Sequence, residues 1–154
     1  MKKDPNNPIP YQYKGLAYAY IQDYARSLTW FDKAIARDQR CYDAWMNRGI
    51  SFANLANMQK ALKNIRKAIQ LRPQDPIAHY NEETVLMNFE RFRDAEQLLR
   101  TAVTLNPGYK PAMINLAVVL QRLKKYDEAL KLLDSVIQQD SKDFEAVNIT
   151  GVRP

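Results

Sequence analysis

A step of 34 residues runs through the chain without one insertion, and it limits the fold more than any other property of the sequence. From Tyr11 the step reaches Trp45, His79 and Met113, and from Tyr18 it reaches Phe52, Leu86 and Leu120. Phe31 leads to Ile65, Leu99 and Leu133. Small residues recur in the same way: Gly15, Gly49 and Ala117 share one phase, broken only by Glu83, and Ser27, Ala61, Ala95 and Ala129 share another. Pro5, Pro73 and Pro107 mark a third phase, with Gln39 and Ser141 completing it.

Within each period two stretches carry apolar residues at i, i+3, i+4 and i+7, the spacing of an amphipathic helix. In the second period these stretches predict helices over Tyr42 to Ala56 and Gln59 to Leu71. Proline near the end of the period stops the second helix, because it has no N–H for the helical ladder. Two helices cannot bury their apolar faces alone, so successive pairs must stack on one another. The units fall at 8–41, 42–75, 76–109 and 110–143. Residues 1–7 read as the end of a preceding unit and 144–154 as the start of a further one or a truncated tail, which leads us to expect a piece of a longer array.

Bulky residues at position 4 and 11 of the unit, a small one at 8, alanine at 20 and 27 and proline at 32 resemble the tetratricopeptide repeat family. The resemblance covers essentially the whole chain. It implies an all-α, right-handed solenoid of antiparallel helix pairs whose first helices line a concave groove, with positions 2, 5, 6, 9, 12 and 13 facing a peptide partner. In unit two those positions hold Asp43, Met46, Asn47, Ile50, Ala53 and Asn54; in unit three, Ile77, Tyr80, Asn81, Thr84, Met87 and Asn88. Unit one contributes Gln12, Tyr13, Leu16 and Tyr20 among others, and unit four Ile114, Asn115, Val118, Gln121 and Arg122.

Two features of that face point to peptide binding. Asn47, Asn81 and Asn115 repeat in register, and an amide side chain carries both a donor and an acceptor for a peptide backbone. Tyr13, Tyr20, Met46, Ile50, Tyr80, Met87 and Ile114 supply adaptable apolar contacts, with Arg122 the one cation of the face. The clamp by which some members of the family hold acidic C-terminal tails needs Lys and Asn where Gln12 and Leu16 stand, and Lys and Arg where Ile77 and Asn81 stand. A partner segment of mixed apolar and amide character is the better match.

Other functional classes find little support. Cys41 and His79 are the only residues of their kinds, so a zinc cluster, an internal disulfide or a histidine-based triad lacks its usual members. His79 stands in a packing phase. Glu83 stands where the other units place a small residue, and it is expected to splay the helices or to pair with a cation such as Arg48. The net charge of +6 invites nucleic acid. Much of the excess, however, is Lys60, Lys63 and Lys67 on one outward stripe without interleaved aromatics for base stacking. No apolar run approaches the ~20 residues of a membrane span.

The reading is a non-catalytic scaffold that holds a partner's peptide, with no cofactor, no metal, no nucleic acid and, from the lone cysteine, a reducing cytoplasmic setting. Its alternatives are a module that self-associates into homo-oligomers through the ends of the array, and the substrate-targeting region of a larger enzyme.

Overall fold

The paired amphipathic stretches of each period become eight helices among the described residues. A computed structural model describes residues 4–150, with side chains as far as residue 142. In chain order the helices are α1 (Ile9–Tyr20), α2 (Tyr24–Arg37), α3 (Tyr42–Asn54), α4 (Met58–Leu71), α5 (Pro76–Asn88), α6 (Phe92–Leu105), α7 (Lys110–Arg122) and α8 (Tyr126–Thr150). The expected helices of the second unit differ from α3 and α4 by no more than two residues at an end.

Each turn inside a helix pair is made the same way. Gln22, Ala56, Glu90 and Lys124, one period apart, all take the left-handed conformation, with φ of 64°, 60°, 57° and 62°. A single left-handed residue ends a helix by redirecting the chain, at a cost that glycine would avoid. The residue after it then caps the next helix in two of the four turns. Asp23 accepts from the Arg26 amide at 3.2 Å, and Asn57 accepts from the Lys60 amide at 3.1 Å.

The chain forms two compact units. The first runs to Phe89 and holds α1 to α5; the second starts at Glu90 and holds α6 to α8.

In the first unit α1 packs on α2, α2 on α3, α3 on α4 and α4 on α5. The glycine phase explains how close α1 and α2, and α3 and α4, can come. A Cβ on Gly15 would lie 2.5 Å from the Phe31 ring, and one on Gly49 would lie 2.7 Å from Cγ1 of Ile65. Phe31 and Ile65 are fully buried as a result. Polar side chains meet across the seams. The Ser27 and Ser51 hydroxyls meet 2.8 Å apart between α2 and α3. In the same seam Arg48 Nε lies 2.8 Å from Asp32 Oδ1, and one period on Arg66 Nε donates to Glu82 Oε1 at 2.7 Å between α4 and α5.

Two adjacent carboxylates of α5 differ in burial. The carboxylate taken into the core is Glu82, only 6% exposed, whereas Glu83 beside it is half-buried. The Arg48 guanidinium reaches Asp32 and donates to Asn64 Oδ1 at 3.3 Å.

In the second unit α6 packs on α7 and α7 on α8 around Leu99, Leu116, Val119 and Leu120. Glu96 ties α6 to the start of α8: it accepts from Arg100 at 2.8 Å and from Lys125, in the turn before α8, at 2.9 Å, and Arg100 also reaches Glu128 at 2.6 Å. Helix α8 differs from its predecessors. It runs unbroken past Ser141 to Thr150, and residues 151–154 lie outside the described part. The junction 138–143 contains neither proline nor glycine. Without them nothing local interrupts the ladder. The proline-free turn after α2 breaks all the same, because there α3 folds back onto α2.

Candidate functional site

Ile50, Ala53 and Asn54 fall on one face of α3 by their spacing, and Asn81, Thr84 and Asn88 do so on α5. The packing of the first unit sets these faces side by side around a cleft of about 320 Å³. Ala56, Val85 and Phe89 complete its lining. No side chain in it is charged or titratable.

The polar groups of the cleft are arranged to receive hydrogen bonds and to make them. Thr84 spends its hydroxyl proton on the Tyr80 carbonyl at 2.9 Å, and Asn54 spends its amide N–H on the Ile50 carbonyl at 2.9 Å. Both therefore keep acceptor capacity toward the cleft. Asn81 is half-buried and makes no hydrogen bond to any described group, so its donor and acceptor are both available. Asn47, one period earlier on α3, is likewise half-buried and makes no such bond, but it does not line the cleft.

The remaining expected residues divide by location. Met46 is not on an open face. It is 9% exposed and belongs to a core cluster with Tyr42, Ala68 and Ala78, against which Ile50 also packs. Gln12, one period before Met46, is buried as well. The reason is common to both: this position of a first helix meets the next first helix, α1 touching α3 and α3 touching α5. Tyr80 occupies the same position and is exposed, and Met87 is half-buried. Tyr13 and Tyr20 project from α1, the latter 91% exposed, and neither lines the cleft.

Ile114, Asn115 and Arg122 belong to the second unit. Ile114 and Val118 line an apolar hollow of about 300 Å³ with Tyr126, Leu130 and Leu133. The Arg122 guanidinium lies 5.9 Å from the Phe92 ring centre. Asn115 is half-buried and makes no hydrogen bond among the described residues. Thr84, Asn54 and Asn88 entered the sequence reading only as occupants of groove-facing positions, and Phe89 did not enter it. The signal for the first three was register, and for Phe89 there was none.

Other reactive groups have structural settings. Burial pushes the Cys41 thiol above its ordinary pKa, which keeps it protonated. His79 Nε2 donates to the Pro73 carbonyl at 2.9 Å. Among the described residues no cluster of three or more His, Cys, Asp or Glu side chains is placed to hold a metal ion, and no helix is long and apolar enough to cross a membrane.

Tetratricopeptide repeat models match residues 14–76 and again residues 86–149. The chain belongs to the tetratricopeptide repeat family. No curated protein sequence is similar enough to be matched with it. Solved tetratricopeptide structures are similar over most of its length. A crystal structure of MamA aligns with a TM-score of 0.76 at 20% identity, covering 92% of this chain and 83% of that one. MamA from Desulfovibrio magneticus RS-1, from residue 41 to its end, aligns at 0.73 and 22% identity, covering 90% and 78%. YrrB, described as a TPR protein with an unusual peptide-binding site, aligns at 0.69 and 25% identity, covering 90% and 71%. The fold is thus the all-α tetratricopeptide solenoid, and the chain is a protein–protein interaction scaffold.

Proposed function

We propose that this scaffold is non-catalytic and holds an uncharged peptide segment of a partner protein in the cleft between α3 and α5. The observation that carries the reading is the Asn81 amide. It stands half-buried with no protein partner in a cleft that offers further acceptors from Asn54 and Thr84 and apolar walls from Ile50, Val85 and Phe89. A peptide backbone presents alternating N–H and C=O groups, which such a lining can satisfy whatever the side chains. The absence of any titratable group from the lining leaves no general acid there, and no base to activate the Thr84 hydroxyl. The peptide-binding site described for YrrB is consistent with this use of the fold.

Asn47 and Asn115 extend the reading as further backbone-binding amides, and Tyr13, Tyr20, Tyr80, Met87, Ile114 and Arg122 as side-chain contacts. The test is a screen of uncharged peptides of mixed apolar and amide composition against the chain and against Asn81→Ala. Binders of the native chain should weaken by about threefold to tenfold on losing one amide, with helicity by circular dichroism unchanged. Joint replacement of Asn47, Asn81 and Asn115 should weaken them further. Peptides that bind both forms equally, or that bind only when acidic, would remove the cleft from this role.

A further inference from the structure

Asn47 on α3 and Asn81 on α5 hold the same phase of neighbouring first helices. Both are half-buried, and neither side chain makes a hydrogen bond to a described residue. Each amide therefore keeps its N–H donors and its carbonyl acceptor. Helix α3 touches α5, and helices in contact run about 8–10 Å apart between axes. A segment that crosses from one to the other meets an equivalent unengaged amide at about that interval.

Backbone shapes differ in whether they can use that interval. An α-helix spends its N–H and C=O groups internally, and one turn, about 10–12 Å across and about 5.4 Å long, already exceeds the cleft of about 320 Å³. A β-strand rises about 3.3 Å per residue, so about three residues reach the next amide. Strand residues alternate between faces, however, and the third points its groups the wrong way. A polyproline II helix returns to the same facing every three residues and rises about 3.1 Å per residue, so each turn advances about 9 Å. It makes no internal hydrogen bond, which leaves one carbonyl per turn for one amide. Only this shape agrees in both distance and facing.

The rest of the surface suits such a segment. Tyr80 beside Asn81, and Tyr13 at the phase of Asn47 on α1, are exposed and offer ring faces against which pyrrolidine rings pack. Asn54 and Thr84, whose protons are committed to the Ile50 and Tyr80 carbonyls, accept from the N–H of the residues between prolines. The uncharged lining asks for uncharged residues at those places. We infer that the partner segment is an uncharged, proline-rich stretch in the polyproline II conformation, an inference that rests on the binding role proposed for the cleft. The stretch crosses α3 and α5 so that residues three apart set their carbonyls on Asn47 and Asn81.

NMR titration of the chain with capped synthetic peptides tests this. The probes are a Pro-Pro-Gln repeat cut to lengths of about four and about seven residues, and a strand-forming Thr-Val-Gln peptide of the longer length. The longer Pro-Pro-Gln peptide should bind about tenfold tighter than the shorter one and about tenfold tighter than the Thr-Val-Gln peptide. Asn81→Ala should weaken both Pro-Pro-Gln peptides by about fivefold. Asn47→Ala, with native circular dichroism, should leave the shorter peptide unchanged and bring the longer one down by about fivefold. A Thr-Val-Gln peptide that binds at least as well as its Pro-Pro-Gln counterpart, and depends on Asn81, overturns the polyproline II shape while the cleft keeps its role. Binding of the longer peptide that ignores Asn47→Ala overturns the crossing of two helices. Failure of every peptide to bind in a way that depends on Asn81 overturns the segment and the cleft together.

Discussion

The ring nitrogens of Trp45 and His79 do the same work one period apart. Trp45 Nε1 lies 2.9 Å from the Gln39 carbonyl oxygen, and His79 Nε2 lies 2.9 Å from the Pro73 carbonyl oxygen, each six residues earlier in the preceding turn. A carbonyl can only accept, so the imidazole carries its proton on Nε2. Each ring fills the space beside the turn and supplies the donor that the turn lacks.

This relationship predicts a graded result at position 79. His79→Phe keeps the ring and loses the donor, which should cost about 1 kcal/mol in chemical denaturation. His79→Trp keeps a donor and should cost less. Equal stability for the phenylalanine variant would mean that the hydrogen bond contributes nothing beyond packing.

The glycine phase gives a second prediction. A methyl group on Gly49 would meet Cγ1 of Ile65 at 2.7 Å and the Ala61 carbonyl at 3.0 Å, and neither the buried isoleucine nor helix backbone can move freely. Overpacking of this kind costs about 1–3 kcal/mol, against a gain of about 1 kcal/mol from replacing glycine in a helix. Gly49→Ala should therefore destabilise the first unit by about 1 kcal/mol. A more stable variant in thermal and denaturant unfolding would show that α3 and α4 separate at little cost.

The second unit should be sensitive to acid through Glu96. The hydrogen bond from Lys125 is the main influence holding its carboxyl below the ordinary value of 4.5; burial opposes this, and the Arg100 hydrogen bond adds to the lowering. A carboxylate with a depressed folded-state pKa contributes stability that is complete above the unfolded value and is lost as pH falls through the folded one. Glu96→Gln should thus cost about 1 kcal/mol at about pH 7, and the penalty should shrink toward about pH 2 as the native carboxyl takes up its proton. Denaturant unfolding at the two values measures the difference, and a penalty independent of pH would assign the effect to packing.

Much of the fold was legible because it depends on spacing. The helices of the second unit, the close approach at Gly15 and Gly49 and the burial of Phe31 and Ile65 all follow from a period that each turn preserves. Met46 and Gln12 were misplaced because their position is settled by the neighbouring first helix, not by their own helix. Attention fell on Glu83 because it broke a pattern, while Glu82 went unremarked because nothing local marks it; its partner Arg66 lies sixteen residues away. The cleft was half visible. Register placed Asn54, Asn81, Thr84 and Asn88 on facing helices, but the hydrogen bonds that occupy Asn54 and Thr84 and leave Asn81 unengaged depend on rotamers that a pattern does not carry.

The reversal between Asp32–Arg48 and Arg66–Glu82 means that the repeats are not interchangeable parts. Deleting residues 42–75 would set Asp32 against Glu82, two acids at a seam built for opposite signs. A folding chain that skipped a repeat would meet the same repulsion. Near-identical neighbours are prone to dock out of order, and here the reversed polarity of two successive seams works as a lock and key within the first unit, rejecting the wrong neighbour by a clash of charge instead of a clash of shape.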